Sequence, residues 1–188
     1  MTDFQKLSFP DFSGLSLELE TMLSSNKIYW KSNQICLTST EHFPNDFTYG
    51  VGSLILDWKM KTDIGGNQSS YEVVKKTNIL RESDFNLLCP VFRNTKFEQI
   101  YEYAKLKFSI GRTRIMMLQP KTCLSWHTDT TRRLHYVIKT NNGARMVVEN
   151  ESQHLRENGW YLINTTKFHT AFNGSLEPRI HLVFSILE

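Results

Sequence analysis

The feature that most constrains the fold of this chain is a series of short strand-like runs in its C-terminal half. The runs are rich in Ile, Val, Tyr and Phe, and they are Arg112–Gln119, Leu134–Thr140, Arg145–Glu149, Gly159–Ile163 and Arg179–Leu187. Turn-forming pairs stand between them, namely Gln119-Pro120, Asn142-Gly143, Asn158-Gly159, Asn173-Gly174 and Glu177-Pro178. Several short strands at this spacing predict an all-β sandwich or barrel, and we favour a jelly roll.

The chain length predicts a single domain. The protein has 188 residues and a mass of 22.0 kDa, which is enough for one hydrophobic core. We expect the β core to occupy roughly residues 111–188 and the preceding residues, roughly 1–110, to pack helices and extra strands around it. A single core over residues 1–188 is favoured over two separate domains.

The segment from Asn94 to Phe108 predicts the clearest helix of the N-terminal half. Thr95 and Glu98 have the spacing of a capping box, in which each residue satisfies a free backbone donor at the start of a helix. Apolar residues recur on one face of the segment, and Gly111 is expected to end the helix.

Other elements of the N-terminal half are predicted from shorter patterns. Leu15, Leu19 and Met22 recur at helical spacing, although Leu15, Leu17 and Leu19 also alternate, which leaves a strand open there. The runs Ile35–Thr38 and Val51–Leu56 are predicted to be strands.

Charge and cysteine content restrict the expected partners and compartment. The net charge is +3, which gives no case for nucleic acid as a partner, although positive charge can still be concentrated in one cleft. The three cysteines are far apart and odd in number, so we expect reduced thiols and a cytoplasmic location. No secretory signal pattern and no membrane-spanning apolar run is present, so no membrane association is expected.

The residue pattern His127-Thr-Asp129, followed 40 residues later by His169, predicts a metal site. Side chains two positions apart on an extended strand point to the same face, so His127 and Asp129 can reach one ion. His169 follows the apolar run Trp160–Ile163 and can return to that ion from an opposing strand. Two imidazoles and one carboxylate that leave coordination positions open favour Fe(II). Each piece alone also occurs in proteins that bind no metal.

Arg179 begins the last strand-like run and shares one face of it with His181 and Val183. A buried arginine needs an anionic partner, and a ligand carboxylate can accept both prongs of its guanidinium. An internal Asp or Glu, or a solvated position at the strand edge, would account for Arg179 without any ligand. Arg133 and His135 alternate with apolar neighbours, so they can point with Arg179 into one cavity and bind a small dianion such as 2-oxoglutarate.

The stretch from Arg114 to Glu188, about 40% of the chain, resembles the aspartyl/asparaginyl β-hydroxylase family of iron(II)/2-oxoglutarate oxygenases. Both the spacing of the motifs and the apolar residues around them agree with that family. The matching segments are Trp126-His-Thr-Asp129, Arg133-Leu-His135, Asn141-Asn-Gly143, His154-Leu-Arg-Glu-Asn-Gly-Trp-Tyr-Leu-Ile-Asn164, His169 and Pro178-Arg-Ile-His-Leu-Val183.

The resemblance implies a double-stranded β-helix core and a set of cofactors: Fe(II), 2-oxoglutarate as co-substrate, and O2. It implies that iron is held by the catalytic residues His127, Asp129 and His169. It also implies Arg179 on the distal carboxylate of 2-oxoglutarate, and it suggests that the carboxylate beside the keto group lies near Arg133 and His135.

Two details refine the resemblance. Asp129 is absent from some relatives, and its presence here argues for hydroxylation over halogenation. Relatives often carry a hydroxyl residue that assists the co-substrate arginine, and Thr113 is the candidate for that role in this chain. Substrate contacts in the family come largely from outside the motifs, so here they are expected from residues 1–110.

The expected function is therefore a dioxygenase that hydroxylates an unactivated C–H bond and releases succinate and CO2. Its substrate would be an amino acid-like small molecule, or an aspartyl or asparaginyl side chain of a peptide. A cupin-like metal-binding or ligand-binding module without oxygenase activity remains open, although it gives no role to the cationic residues. A zinc hydrolase is disfavoured, because the chain has no His-Glu-x-x-His motif and no evident general base.

Overall fold

Two facing antiparallel sheets make the protein a mainly β jelly roll, which confirms the predicted fold class. The computed structural model describes residues 2–62 and 69–187, and the side chains of residues 58–71 lie outside that description. The strands are β1 Phe4–Leu7, β2 Gln34–Cys36, β3 Thr38–Ser39, β4 Leu56–Thr62, β5 Ser69–Lys75, β6 Leu87–Leu88, β7 Ile110–Leu118, β8 Thr122–Cys123, β9 Arg133–Lys139, β10 Ala144–Val148, β11 Glu151–Gln153, β12 Trp160–Ile163, β13 His169–Asn173 and β14 Arg179–Ile186.

The larger sheet has six strands in the order β1-β12-β9-β14-β7-β2, and the smaller has four in the order β11-β10-β13-β8. Strands β3 and β6, and strands β4 and β5, form two separate ribbons. In the larger sheet, β14 pairs with both β7 and β9, although these strands are distant in sequence. This interleaved order gives the double-stranded β-helix that the motifs imply.

Alternating side chains place one apolar core on each face of the six-stranded sheet. On the outer face, Leu134 and Phe184 pack with residues of two helices, α1 Leu15–Ser24 and α2 Lys96–Lys107. On the inner face, Val137 and residues such as Met146, Tyr161 and Ala171 fill the space between the sheets. The inner face of β9 also carries the buried polar residues Arg133 and His135, so polar chemistry lies inside the jelly roll.

Helix α2 has the predicted N-cap, Thr95, but the second bond of the capping box goes to the amide of Asn94 and not to that of Thr95. The Thr95 side chain accepts hydrogen bonds from the backbone amides of Phe97 at 3.1 Å and Glu98 at 3.4 Å. The Glu98 carboxylate in turn accepts from the Asn94 amide at 2.7 Å. The apolar face is buried as expected, and it consists of Phe97, Ile100, Tyr101 and Ala104.

Gly111 does not end this helix, contrary to the expectation. The helix ends at Lys107, because Phe108 already has an extended backbone with φ −141° and ψ 150°. Gly111 lies inside β7, where a Cβ atom would stand 2.3 Å from the carbonyl oxygen of Glu82. The glycine is therefore needed where a short helical turn, Glu82–Asp84, packs directly against β7.

Two of the shorter patterns in the N-terminal half have opposite outcomes. Helix α1 buries Leu15 and Leu19 and leaves Leu17 exposed, which settles the choice between helix and strand. The strand predicted at Val51–Leu56 is wrong, since β4 begins only at Leu56. Gly50 and Gly52 have φ values of 94° and 73°, and a left-handed backbone does not continue a strand. No helix in the described ranges is long and apolar enough to cross a membrane.

Candidate metal centre

A short β-bridge brings His127 beside His169. The His127 amide donates to the His169 carbonyl at 3.1 Å, and the His169 amide donates back to His127 at 2.9 Å. The Asp129 amide donates to the Thr165 carbonyl at 2.8 Å, which ties the same loop to the end of β12. One donor atom from each of His127, Asp129 and His169 lies within 4.8 Å of the other two. The three residues predicted as ligands therefore form one cluster.

Both imidazoles are oriented by backbone carbonyls. Nδ1 of His127 lies 2.8 Å from the Ser125 carbonyl, and Nδ1 of His169 lies 3.0 Å from the Lys167 carbonyl. A carbonyl can only accept, so Nδ1 carries the proton and Nε2 keeps its lone pair for a metal. Burial lowers the pKa of His169, which keeps this imidazole neutral near neutral pH.

The donor set fits a divalent ion of intermediate hardness. Nε2 of His169 lies 3.7 Å from Oδ2 of Asp129, and the two imidazole rings are 4.3 Å apart between centroids. His169 is buried, whereas His127 and Asp129 are partly exposed, so the cluster stands where the inner core meets solvent. Two imidazoles and one carboxylate at this spacing match the ligand set of non-haem Fe(II) sites.

Glu82 lies beside the cluster, and sequence reasoning missed it. Its buried carboxylate accepts from Arg112 at 2.8 and 3.0 Å, from Nη2 of Arg133 at 2.7 Å and from the Ser185 hydroxyl at 2.8 Å. Burial alone would raise the pKa of Glu82, but the charges and hydrogen bonds of the two arginines outweigh it and lower the pKa to about 2. Glu82 is therefore an anion enclosed by donors.

Arg133 links Glu82 to the metal cluster. Its Nε donates to Oδ2 of Asp129 at 3.0 Å, and its Nη1 donates to the hydroxyls of Thr131, at 2.9 Å, and Ser185. Most of its donors are thus used by protein groups. Its predicted place beside a co-substrate carboxylate stays a prediction.

Arg179 is buried with imidazoles instead of carboxylates. Its guanidinium lies 2.9 Å from Nε2 and 2.7 Å from Nδ1 of His181. No Asp or Glu in the described part of the chain makes an ion pair with it, so burial lowers the pKa of Arg179 to about 10. An internal Asp or Glu partner therefore does not account for Arg179 among these residues. Arg179 is also only 8% exposed, so it is not a solvated residue at the strand edge.

His135 continues the same polar cluster. Its Nδ1 lies 3.2 Å from Nδ1 of His181, and its buried Nε2 has no hydrogen-bond partner within the described residues. Burial, followed by the charge of Arg179, holds the pKa of His135 well below its ordinary value. A neutral imidazole with an unused ring nitrogen beside an unneutralised arginine suits an oxygen-rich anionic ligand.

Thr113, the hydroxyl residue considered for Arg179, lies elsewhere. It pairs with Phe184 in the sheet, whereas Arg179 pairs with Leu118 at the other end of β7. Its hydroxyl donates to the Gly111 carbonyl at 3.1 Å. Thr113 therefore does not assist Arg179.

A second buried arginine, Arg114, also lacks a carboxylate partner among the described residues. Its Nη1 donates to the Gln34 side chain at 2.8 Å and to the Gly52 carbonyl at 3.3 Å. Burial, together with the charges of neighbouring arginines, lowers the pKa of Arg114 to about 9. Among the described residues, four buried guanidinium groups (Arg112, Arg114, Arg133 and Arg179) thus accompany two carboxylates, Glu82 and Asp129, and this excess of positive charge favours a bound anion.

Comparison with known proteins gives a family and a set of structural similarities. The model of the Aspartyl/Asparaginyl beta-hydroxylase family matches residues 76–188. No curated protein sequence matches the chain. Cupin domains are among the solved structures that resemble it.

Three further solved structures show the range of similarity. The viral collagen prolyl hydroxylase vCPH of Paramecium Bursaria Chlorella virus-1, in its 2OG complex, matches over 98% of this chain and 96% of that chain, with 10% identity and a TM-score of 0.47. A 2OG-Fe(II) oxygenase family oxidoreductase from Burkholderia pseudomallei matches over 96% and 94%, with 11% identity and a TM-score of 0.42. AerE from Microcystis aeruginosa matches over 41% of this chain but only 36% of its own length, with 18% identity and a TM-score of 0.36.

Proposed function

The chain belongs to the aspartyl/asparaginyl beta-hydroxylase family, and from that premise we propose that it is an Fe(II)- and 2-oxoglutarate-dependent dioxygenase. In this proposal His127, Asp129 and His169 hold the iron, and Arg179 binds the distal carboxylate of 2-oxoglutarate. The reaction is hydroxylation of an unactivated C–H bond in an amino acid-like small molecule, or in an aspartyl or asparaginyl side chain.

The observation that carries the proposal is a buried arginine, Arg179, that has no counter-ion among the described residues and lies inside the same jelly roll as the ligand cluster. Burying a guanidinium without a carboxylate costs free energy, and an unliganded fold gains nothing from it. A dicarboxylate co-substrate supplies the missing charge, because its far carboxylate can accept two parallel N–H bonds from Arg179. A cupin-like module that binds only a metal has no use for this residue.

The neighbouring imidazoles fit the same ligand. His135 keeps Nε2 free of any described partner, and a neutral imidazole can donate one hydrogen bond to a ligand oxygen. His181 packs against the guanidinium of Arg179 and so limits the positions that the guanidinium can take. These two residues therefore orient the co-substrate, while its charge is met by Arg179.

The protein's own part in the reaction is binding, orientation and exclusion of water. Iron with 2-oxoglutarate and O2 supplies the oxidising power when bound, with succinate and CO2 as the co-products. The backbone-locked imidazoles present Nε2 without reorganisation, and the apolar inner core, which includes Val137 and Ala171, keeps the interior of the jelly roll dry.

The proposal is tested by ligand-dependent stability with Mn(II) in place of iron. A co-substrate at about 100 times its Kd raises the free energy of unfolding by about 2.7 kcal/mol. We expect 2-oxoglutarate to stabilise the Mn(II)-loaded protein in this way and the His169→Ala variant to lose the effect. A metal-binding module without oxygenase activity would respond to Mn(II) and show no further response to 2-oxoglutarate.

The substrate is then sought by succinate release. Free amino acids and short peptides that contain aspartyl or asparaginyl residues are supplied with Fe(II), 2-oxoglutarate and O2. Succinate formed with a particular substrate, together with a product heavier by one oxygen atom, supports hydroxylation. Full turnover in His127→Ala or His169→Ala would contradict the proposal that these residues are metal ligands.

A further inference from the structure

A continuous chain of charged contacts runs from Glu82, in the N-terminal half, to the ligand Asp129. Glu82 Oε1 lies 2.7 Å from Nη2 of Arg133, and Nε of the same guanidinium lies 3.0 Å from Oδ2 of Asp129. Both ends of Arg133 are thus fixed, one by an anion outside the β core and the other by a metal ligand.

The Glu82 side chain is itself fixed by several contacts. The Glu82 carboxylate also accepts from the Arg112 side chain at 2.8 and 3.0 Å and from the Ser185 hydroxyl at 2.8 Å. Its backbone carbonyl lies directly over Gly111, where no side chain could be accommodated. Because Glu82 is held on all sides, it determines where the guanidinium of Arg133 can lie.

We propose that Glu82 is a positioning residue for the metal ligand Asp129 and that it acts through Arg133. The inference rests on the proposed function only in assigning Asp129 to the metal. With Glu82 in place, Nη2 of Arg133 donates to Glu82, and the Asp129 carboxylate accepts a single bond, from Nε, among the described side chains. The carboxylate of Asp129 is then oriented by one hydrogen bond and keeps lone pairs available for a metal.

Loss of the Glu82 charge acts against a metal in two ways. A freed Arg133 can turn its fork toward Asp129 and form a bidentate ion pair, which competes with a cation for the same oxygens. The surroundings of the cluster also become more positive by one charge, which disfavours a divalent cation. Both effects weaken metal binding, and neither requires the fold to change.

If Glu82 had a purely structural role, a different result would be expected. A variant of Arg112 distinguishes that structural role from the positioning role. Arg112 binds the same carboxylate and also donates to the carbonyls of Gly50 and Gly52, so its loss disturbs the same junction. It makes no contact with Asp129 in the described structure. If Glu82 serves only the junction, Glu82→Gln and Arg112→Met should change metal binding alike.

The experiment measures the Kd for Mn(II) from the electron paramagnetic resonance signal of free Mn(II), without co-substrate. The variants are Glu82→Gln, Arg112→Met, the double variant that combines them, and Glu102→Gln as a matched control on the exposed side of α2. The double variant keeps the local charge balance and removes a buried cation with its buried anion, a change that proteins often tolerate. The double variant therefore measures the positioning effect of Glu82 without a change in net charge. It can still be measured if Glu82→Gln alone does not fold.

We expect Glu82→Gln to weaken Mn(II) binding by about tenfold to a hundredfold, the range typical for loss of a group that orients a ligand. The double variant should bind about tenfold more weakly than the wild type, whereas Glu102→Gln and Arg112→Met should stay within about threefold of the wild type. Equal Kd values for the wild type and the double variant, which carry the same charge, would overturn the inference. A wild-type protein that binds no Mn(II) would overturn the proposed function along with it, so the two failures are distinguishable.

Discussion

Replacing Arg179 by Met is expected to stabilise the ligand-free protein while abolishing its response to 2-oxoglutarate. Arg179 is buried inside the jelly roll and has only His181 as its described partner. Met is unbranched and of similar length, so Arg179→Met fills most of the same space without the charge. An exposed strand arginine, Arg145 on β10, offers the matched control Arg145→Met.

The magnitude follows from the cost of burying the charge. The pKa of Arg179 falls from 12.5 to about 10, and at about 1.36 kcal/mol for each pKa unit the cost is about 3 kcal/mol. Since the pKa is lowered on folding, this cost is present in full at neutral pH, where the unfolded chain also carries the charge. Loss of the one hydrogen bond that the neutral His181 ring can accept from Arg179 subtracts about 1–2 kcal/mol. The variant should therefore be more stable than the wild type by about 1–2 kcal/mol.

Urea unfolding of the ligand-free proteins measures the first half of this prediction, and unfolding with Mn(II) and 2-oxoglutarate measures the second. The wild type should gain about 2.7 kcal/mol at a co-substrate concentration about 100 times its Kd. At that concentration a variant that binds 100-fold more weakly should gain only about 0.4 kcal/mol. Arg145→Met should stay within about 0.5 kcal/mol of the wild type in both experiments. An Arg179→Met variant that is clearly less stable than the wild type and still responds to 2-oxoglutarate would show that Arg179 is a structural residue and does not bind the co-substrate.

Two further predictions concern the residues around the site. Burial holds the pKa values of His135 and His181 well below 6.5, so the folded state binds fewer protons than the unfolded state once the pH falls below that value. As the pH is lowered below that value, the free energy of unfolding should therefore fall by up to about 1.4 kcal/mol per pH unit for each histidine. Equal urea midpoints at about pH 7 and about pH 5.5 would contradict this. Gly111→Ala places a Cβ atom 2.3 Å from the Glu82 carbonyl oxygen and should cost about 1–3 kcal/mol, whereas Gly174→Ala, with its nearest neighbour at 3.7 Å, should cost much less.

Local patterns were sufficient to predict much of the β core and the ligand cluster. The N-cap of α2 and the short runs of the C-terminal half act over a few residues, and the structure contains both. They could be predicted because their causes lie within one strand or one helical turn. The spacing of His127 and Asp129 is also local, but the two residues lie outside the named strands, and the jelly roll brings His169 to them across a β-bridge.

Glu82 could not be found in the same way. It stands in the charged segment Arg81-Glu-Ser-Asp84, which is typical of a solvated turn. Its partners Arg112, Arg133 and Ser185 lie 30, 51 and 103 residues away in sequence. The available signal was indirect. Arg112 and Arg133 occupy strand positions where a buried guanidinium needs a carboxylate, and Glu82 is the one acid outside the H-x-D motif that pairs with them in the described structure.

The wrong predictions have local causes of a different kind. The run Val51–Leu56 has strand-like composition, but the left-handed backbone at Gly50 and Gly52 turns the chain there. Gly111 has the sequence position of a helix terminator, yet it is required by the approach of another segment. In both cases the local structure depends on a glycine. The sequence does not show whether that glycine is needed for a positive φ angle or for the close approach of another segment.

We propose that His127, Asp129 and His169 hold one divalent ion in a jelly roll whose inner arginine, Arg179, binds 2-oxoglutarate. A crystal structure of the protein with Mn(II) and 2-oxoglutarate, with the manganese located by anomalous scattering, would test this proposal. We expect one manganese peak at bonding distance from both Nε2 atoms and the Asp129 carboxylate, with the far carboxylate of 2-oxoglutarate on Arg179. A manganese peak bound by other residues, or a co-substrate carboxylate that leaves Arg179 without a partner, would contradict it.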